Sequence, residues 1–458
     1  MFLVDTHAHL NLPEYKEDID IIIKRAESAG VKRIIVPGVG MEENKKSLFL
    51  SKEYSSCFSA FGIHPNNVTP STIDDITEIR ALCLDNNKVA AIGEIGLDYY
   101  RKYTSLDIQK TMFKEFLTLA GELDFPVILH SRNAEQDFWD ILSGMKNFKN
   151  YGVVHCFSGD KDFLKKILSL GFHVSFTGVV TFKNSDMIKS LVREVPLERL
   201  LLETDSPYMA PEPMRGKICS PDYIVYMLET YAKIYNCSKE EIAEITTSNA
   251  NNLFKLGIEN KGKIAYPIRN SLYLNITNRC TNRCSFCTRE KSDFVKGHEL
   301  KLDREPSLEE IVVAMGDVSK YDEIVFCGFG EPTLRIKIIK EVSAYLKKHG
   351  KKVRLVTNGQ AELINKRPVA KEMKGLIDTV SVSLNAPVKE SYDKLCYSVF
   401  GEDAFNNVVS FAQHVISEGI SVEITCLDMI GEEKIAVVKN TARELGASFR
   451  LRYFDVVG

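Results

Sequence analysis

Six histidine and carboxylate positions, each at or just past the end of a short apolar run, constrain this chain more than any other feature: His7, His9, Glu94, His130, His155 and Asp205. The apolar runs lie near Leu3–Asp5, Arg33–Val36, Phe58–Ile63, Ala90–Ile95, Pro126–His130, Gly152–His155, His173–Thr177 and Leu200–Glu203. Amphipathic stretches such as Asp18–Gly30, Thr111–Leu123 and Asp160–Gly171 separate them, two of these closing on a glycine that suits a helix C-terminus. Strands alternating with helices make right-handed βα units on a parallel sheet. About eight such units predict a closed (β/α)8 TIM barrel, whose strand ends converge on one catalytic rim. Pro221–Tyr235 and Lys239–Leu253 read as terminal helices packed on it.

The spacing of the first pair has a physical meaning. Residues two apart on a strand face the same side, so His7 and His9 can reach one metal. Six donors exceed one tetrahedral shell and predict two divalent cations, with Glu94 able to bridge them. Two cations roughly 3.5–4 Å apart bind both the attacking and the leaving oxygen of a phosphoryl displacement and make hydroxide available at neutral pH. Asp205 could ligate one cation and accept the proton of the attacking water.

Beyond about residue 260 the donor chemistry changes. Cys280, Cys284 and Cys287 form a Cys-x3-Cys-x2-Cys trio of soft ligands after a strand near Leu272–Ile276. A disulfide between such near neighbours would be strained, and a fourth zinc ligand is missing. Three thiolates on a cubane cluster leave one iron open to a small molecule. Further strands are expected near Glu323–Cys327, Val353–Thr357, Thr379–Leu384, Ser421–Cys426 and Ser448–Tyr453, and Ser307 with Glu310 reads as a capping box. Six βα units are too few for the usual closed barrel, so an open, partial (β/α)6 barrel is predicted. The expected division is a hydrolase domain over 1–258, a polar linker over 259–271 beginning Glu259-Asn260-Lys261, and a second domain over 272–458.

Composition narrows the class. The 458 residues are too many for one core, and 44% hydrophobic with 26% charged is globular. A net charge of −3 supplies no global attraction to nucleic acid or anionic lipid, so a polyanion must be caught by local Arg and Lys. No apolar run is long enough to span a bilayer. Met1–Val4 shows no signal-peptide pattern, and eleven scattered cysteines fit reduced thiols, so a cytoplasmic protein is expected.

The first half resembles TatD-type metal-dependent deoxyribonucleases. The resemblance rests on Val4-Asp5-Thr6-His7-Ala8-His9-Leu10, Gly62-Ile63-His64-Pro65, Gly93-Glu94-Ile95-Gly96-Leu97-Asp98-Tyr99, His130-Ser131-Arg132, His155-Cys156-Phe157-Ser158-Gly159 and Glu203-Thr204-Asp205-Ser206-Pro207. It continues through Pro211–Lys217 and Asn249–Phe254. It implies hydrolysis of phosphodiesters, commonly of DNA from the 3′ end, with magnesium, manganese or zinc at His7, His9, Glu94, His130, His155 and Asp205. It makes His64 a contact to substrate phosphate, with Arg132, Arg215 and Lys217 further candidates of that kind. Asn133 and Cys219 depart from the family pattern and bear on substrate choice, not on the metal site.

The second half resembles the radical SAM family through the cysteine trio with Phe286 before its last member, and through Cys327-Gly328-Phe329-Gly330-Glu331-Pro332. That implies a [4Fe-4S] cluster, S-adenosylmethionine and an electron donor such as a flavodoxin or ferredoxin. Gly328, Gly330 and Glu331 would hold the methionyl group, and Ser383 and Asn385 the ribose. Thr357-Asn358-Gly359 is weakly similar to the family, while its Gly-x-Ile-x-Gly-x-x-Glu pattern is not evident near Ile424–Leu427. Without a cysteine-rich extension before Gly458, no auxiliary cluster is expected. The expectation is a bifunctional enzyme, its nucleic acid or nucleotide substrate linked to the unknown radical substrate by adjacency alone. Two alternatives stand beside it: an amide or ester hydrolase, and a hydrolase gated by a redox-sensing iron–sulfur domain.

Overall fold

Short aliphatic strands, buried on both faces, build the first unit in the computed structural model, which describes residues 1–101, 103–145, 151–258, 262–290, 293–295 and 298–453. Glu259, Asn260 and Lys261 of the expected linker, and residues 454–458 of the expected second domain, lie outside these. The chain divides into two compact units, residues 1–259 and 260–458.

In the first unit Leu3–Asp5 (β1), Val31–Pro37 (β2), Cys57–Phe61 (β3), Val89–Asp98 (β4), Val127–Arg132 (β5), Gly152–Val154 (β6), His173–Phe176 (β7) and Leu200–Leu202 (β8) pair in that order, all parallel. The ring closes just past the strands: Thr6 N donates to Leu202 O (3.0 Å), Asp205 N to His7 O (2.9 Å) and His9 N to Ser206 O (2.7 Å). Asp5, fully buried, accepts from Thr204 N (3.0 Å) and Thr204 Oγ1 (2.6 Å) across the same seam.

The helices follow their sequence signals. Helix Ile19–Ser28 opens on Asp18, whose side chain accepts from Asp20 N, and is followed by Gly30 at φ +99°. Helix Leu106–Leu123 starts five residues before the expected Thr111. The buried Gln109 explains the extension, because its amide brackets Asp98, accepting from N at 2.8 Å and donating to O at 3.1 Å. Val4, Ile35, Ala60, Ile128 and Leu201 pack with Ala250, Leu253 and Phe254 of helix Lys239–Phe254. Asn249 of that helix donates to Leu197 O and Leu200 O, at the N-terminal end of β8. The helix therefore plugs that end and leaves the opposite rim for chemistry.

The second unit begins inside the stretch read as linker. Ala265–Ile268 (β9) pairs antiparallel with Ser271–Leu274 (β10). Pro267 is tolerated because β9 lies at the sheet edge, and its short period-2 pattern was masked by the polar residues before it. A hairpin of Phe294–Val295 (β11) and His298–Glu299 (β12) follows. Then come Glu323–Phe326 (β13), Lys352–Thr357 (β14), Thr379–Ser383 (β15), Ser421–Leu427 (β16) and Ser448–Arg452 (β17). The sheet runs β17-β16-β15-β14-β13-β10-β9, parallel throughout except for β9. Six parallel strands make the open partial barrel expected, and the capping box at Ser307 and Glu310 opens helix Leu308–Met315.

One face of this sheet is apolar. Leu272, Leu274, Ile324, Phe326, Val353, Leu355, Val380, Val382, Val422 and Ile424 join the helices in the core. The alternate residues, among them Tyr273, Glu323, Arg354, Ser381, Ser383, Glu423, Thr425, Arg450 and Arg452, therefore face the barrel interior. No helix of the described residues is long and apolar enough to cross a membrane.

Candidate functional site

The seam of the first barrel brings the ends of β1 and β8 together, and with them His7, His9 and Asp205. Glu94 reaches the same rim from β4, whose register against β5 shifts between Ile92 and Ile95. Such an irregularity re-aims a side chain inward. Gly96 lets β4 hug β5 here: its φ is +144°, and a Cβ would lie 2.0 Å from His130 O.

Two donor sets meet on the two oxygens of Glu94. Its Oε2 lies 3.5 Å from His7 Nε2 and 3.5 Å from His9 Nε2. Those nitrogens are 3.0 Å apart and stand 3.8 and 3.6 Å from Asp205 Oδ1. Its Oε1 lies 2.9 Å from His155 Nε2, 3.0 Å from His130 Nδ1 and 3.5 Å from His64 Nε2. A divalent ion with bonds near 2.1 Å spans donor–donor edges of about 3.0 Å (octahedral) to 3.4 Å (tetrahedral). The nitrogen and oxygen donors present fit such ions in both number and spacing.

Electrostatics hold Glu94 and Asp205 ionised and the rings of His7 and His64 neutral. Burial would raise the Glu94 carboxyl, but His155, His64 and His130 outweigh it and hold it well below the ordinary range. Burial pushes His7 down to about 4 and His64 to about 3, leaving both rings neutral, and His64 Nδ1 accepts from Asn66 N at 3.1 Å, which leaves the proton on its Nε2. Burial opposes charge on His155 too, but Glu94 draws it up to about 9. Asp205, despite burial, is held low by His9, His7 and His155.

Supporting residues emerge that strand-end reasoning did not single out. Asp98 Oδ2 lies 3.3 Å from His130 Nε2 and accepts from Asn66 Nδ2 at 3.0 Å, while its Oδ1 accepts from Tyr100 N and Arg101 N. Glu203, fully buried, accepts from Cys156 N (2.7 Å) and Ser175 Oγ (2.7 Å) beside His7 and His155. Both sit inside the motifs that carried the resemblance, at the ends of β4 and β8, and that position was their only signal.

The rim cations are less uniform. Arg132 follows His130 by two on β5, hence on the same side, and its guanidinium lies 3.9 Å from the ring centre of Tyr100. Tyr100 is 60% exposed. Arg215 and Lys217 lie on an exposed loop, Arg215 stacked 4.5 Å over Phe182 and not on the donor cluster.

In the second unit, the cysteine loop is seated on the end of helix Lys389–Cys396. Arg283 N donates to Cys396 O (3.0 Å) and Ser285 N to Leu395 O (3.0 Å). Beneath it the fully buried Gln360 donates to Asn282 Oδ1 (2.9 Å) and Tyr392 OH (3.1 Å) and accepts from Thr281 Oγ1 (2.8 Å) and Ser398 Oγ (3.1 Å). Among the described residues the three thiols do not gather within 4.8 Å of one another.

The neighbouring loop is held by its own contacts. A Cβ on Gly330 would lie 2.3 Å from Arg279 O and 2.5 Å from Thr277 O, so this glycine serves loop-on-loop packing. Glu331 is buried and saturated, accepting from Thr333 N, Thr333 Oγ1, Thr357 Oγ1 and Asn358 N. Asn385 Oδ1 accepts from Leu427 N at 3.2 Å. Ser383 lies one register step away, opposite Thr425.

Comparison with known proteins agrees with this division. Residues 4–255 match the family model of TatD related DNase, and residues 274–442 that of the Radical SAM superfamily. An uncharacterized metal-dependent hydrolase, YabD of Bacillus subtilis (strain 168), is 39% identical over 254 residues, covering 56% of this chain and 99% of its own. The 3′-5′ ssDNA/RNA exonuclease TatD of Erwinia amylovora is 31% identical, covering 56% of this chain and all of its own length (100%). The crystal structure of YJJV, a TatD homolog from Escherichia coli K12, superposes with a TM-score of 0.52 at 30% identity, covering 55% of this chain and 98% of its own. The chain thus belongs to the TatD related DNase family through its first unit, and in its second joins that metal-dependent hydrolase to a radical SAM domain.

Proposed function

We propose that the first unit hydrolyses phosphodiesters of single-stranded nucleic acid with two divalent ions. His7, His9, Asp205 and Glu94 Oε2 would hold one, and Glu94 Oε1, His130 and His155 the other. One observation carries the reading: a single carboxylate, Glu94, turns one oxygen to each donor set. Bound ions would supply nucleophilic water at neutral pH and neutralise phosphate charge. Asp205, held ionised at the seam, accepts the proton that water loses. His64 stands beside the second donor set, where its neutral ring can donate to a phosphate oxygen. Arg132, with Arg215 and Lys217 farther out, offers charge to the backbone, and Tyr100 offers a ring to a base. The name of the Erwinia relative supports a 3′ end as the point of attack. The test is cleavage of 3′- and 5′-labelled oligonucleotides by the full chain with magnesium or manganese. No cleavage, with ester or amide turnover instead, would reverse the reading.

For the second unit we infer a [4Fe-4S] cluster on Cys280, Cys284 and Cys287. With S-adenosylmethionine it would supply the electron that cleaves this cofactor and starts hydrogen abstraction from a substrate. The chain's own part is to seat the cysteine loop through Gln360, to present the backbone of Gly328 and Gly330, and to offer Ser383 and Asn385 to the ribose. Glu331 acts by fixing the β13 and β14 loops together. A flavodoxin or ferredoxin would deliver the electron. Anaerobic reconstitution, then dithionite and S-adenosylmethionine, should yield 5′-deoxyadenosine; an intact cluster without that product would favour a redox sensor.

A further inference from the structure

The interior face of the second barrel carries a line of charged side chains. Arg354 on β14 bonds Glu323 at 3.1 Å and Glu423 at 3.3 Å, and Arg450 on β17 reaches the same Glu423 oxygen at 3.3 Å. Arg452 follows Arg450 by two and shares its face. Its Nε is buried and has no hydrogen-bond partner among the described residues. Arg354 and Arg450 thus share the Glu423 carboxylate, and among the described residues Arg452 makes no ion pair.

A second unpaired group lies beside it. The register sets Ser383 against Thr425, Thr425 against Arg450, and Leu427 against Arg452. Thr425 is 1% exposed, and its hydroxyl has no hydrogen-bond partner among the described residues. Across the interior, Cys327 at the end of β13 is pushed up by burial, and the charges of Arg452 and Arg450 pull it back. The unpaired donors therefore lie at the C-terminal ends of the strands, the end that carries the cysteine loop and the Gly328–Gly330 loop.

A guanidinium nitrogen buried without a partner is costly, and the planar fork of the partly exposed Arg452 matches an oxyanion. We propose that Arg452, with Arg450 and the Thr425 hydroxyl, forms an oxyanion site holding the carboxylate or phosphate of the molecule that loses hydrogen. Calling that molecule the substrate rests on the radical reading above; the anion site rests on geometry alone.

The test is equilibrium dialysis of the reconstituted full chain with radiolabelled inorganic phosphate, alongside Arg452→Met and Thr425→Val. Wild type should bind a phosphate that Arg452→Met holds about tenfold less tightly or worse, with a smaller loss in Thr425→Val. The difference between variants isolates this site from the first unit. Saturating S-adenosylmethionine should leave that phosphate in place. Equal binding by wild type and both variants would overturn the site. Displacement by S-adenosylmethionine would assign the oxyanion to that cofactor's carboxylate and overturn the substrate assignment. Absence of 5′-deoxyadenosine in the same preparations, with Arg452-dependent binding intact, would support the site and strike only the radical reading.

Discussion

Asp98 stands behind His130, its Oδ2 3.3 Å from Nε2 while His130 Nδ1 lies 3.0 Å from Glu94. The ring is gripped from both sides, so its orientation is set before any cation arrives. Losing such outer support typically costs about 10–100-fold in metal affinity or activity. Asp98→Asn should fall in that range for oligonucleotide cleavage, and excess manganese should restore part of it.

Glu94 serves both donor sets at once. Glu94→Gln should lower metal content by two ions per chain, not one, and reduce cleavage by at least about a hundredfold. Elemental analysis after dialysis checks the stoichiometry. Loss of a single ion would show that the sets do not share this carboxylate.

Tyr100 lies exposed with Arg132 stacked on it. Base stacking on such a ring is worth about 1–3 kcal/mol per base. Tyr100→Ala should raise KM for single-stranded DNA several-fold to about a hundredfold, with kcat changed far less. Equal loss on a small phosphodiester lacking a base would contradict a stacking role.

Gln360 binds four partners beneath the cysteine loop. Gln360→Leu strands the buried Asn282 Oδ1, at about 1–3 kcal/mol, and leaves Thr281 and Tyr392 with one partner each, Asn358 and Asn282. Lower iron retention after anaerobic gel filtration, with the first unit's cleavage unchanged, is the expected result.

His173, buried at the start of β7, is pushed by burial down to about 3 from 6.5. The folded state excludes a proton that the unfolded chain takes up below about 6.5. Its contribution is therefore present above that pH and is lost as pH falls toward 3, on the order of 4–5 kcal/mol in full. His173→Gln should flatten the loss of urea-unfolding stability between pH 6.5 and about 4.5 relative to wild type.

The six donors of the first rim were legible because parallel topology gathers strand ends, so position on a strand suffices to place Glu94 or His155. The second tier was not. Asp98 matters only through the neighbour that β5 supplies, and Gln360 only through loops that fold over it. Strand β9 hid behind a polar stretch because pairing, not propensity, makes Ala265–Ile268 extended. Gly330 was legible as a required glycine, but its reason was not: close packing on Thr277 and Arg279 appears only when the two loops meet.

The seam from Thr6 to Leu202 also has a temporal side. His7 and His9 leave the ribosome long before their partner Asp205, which is joined to them only when the eighth strand has docked. Contacts of such long sequence separation form late, after the loop-closure entropy has been met. Metal capture by this donor set would thus wait for the ring to close, and a nascent chain that stalls short of β8 carries histidines without their partner carboxylate.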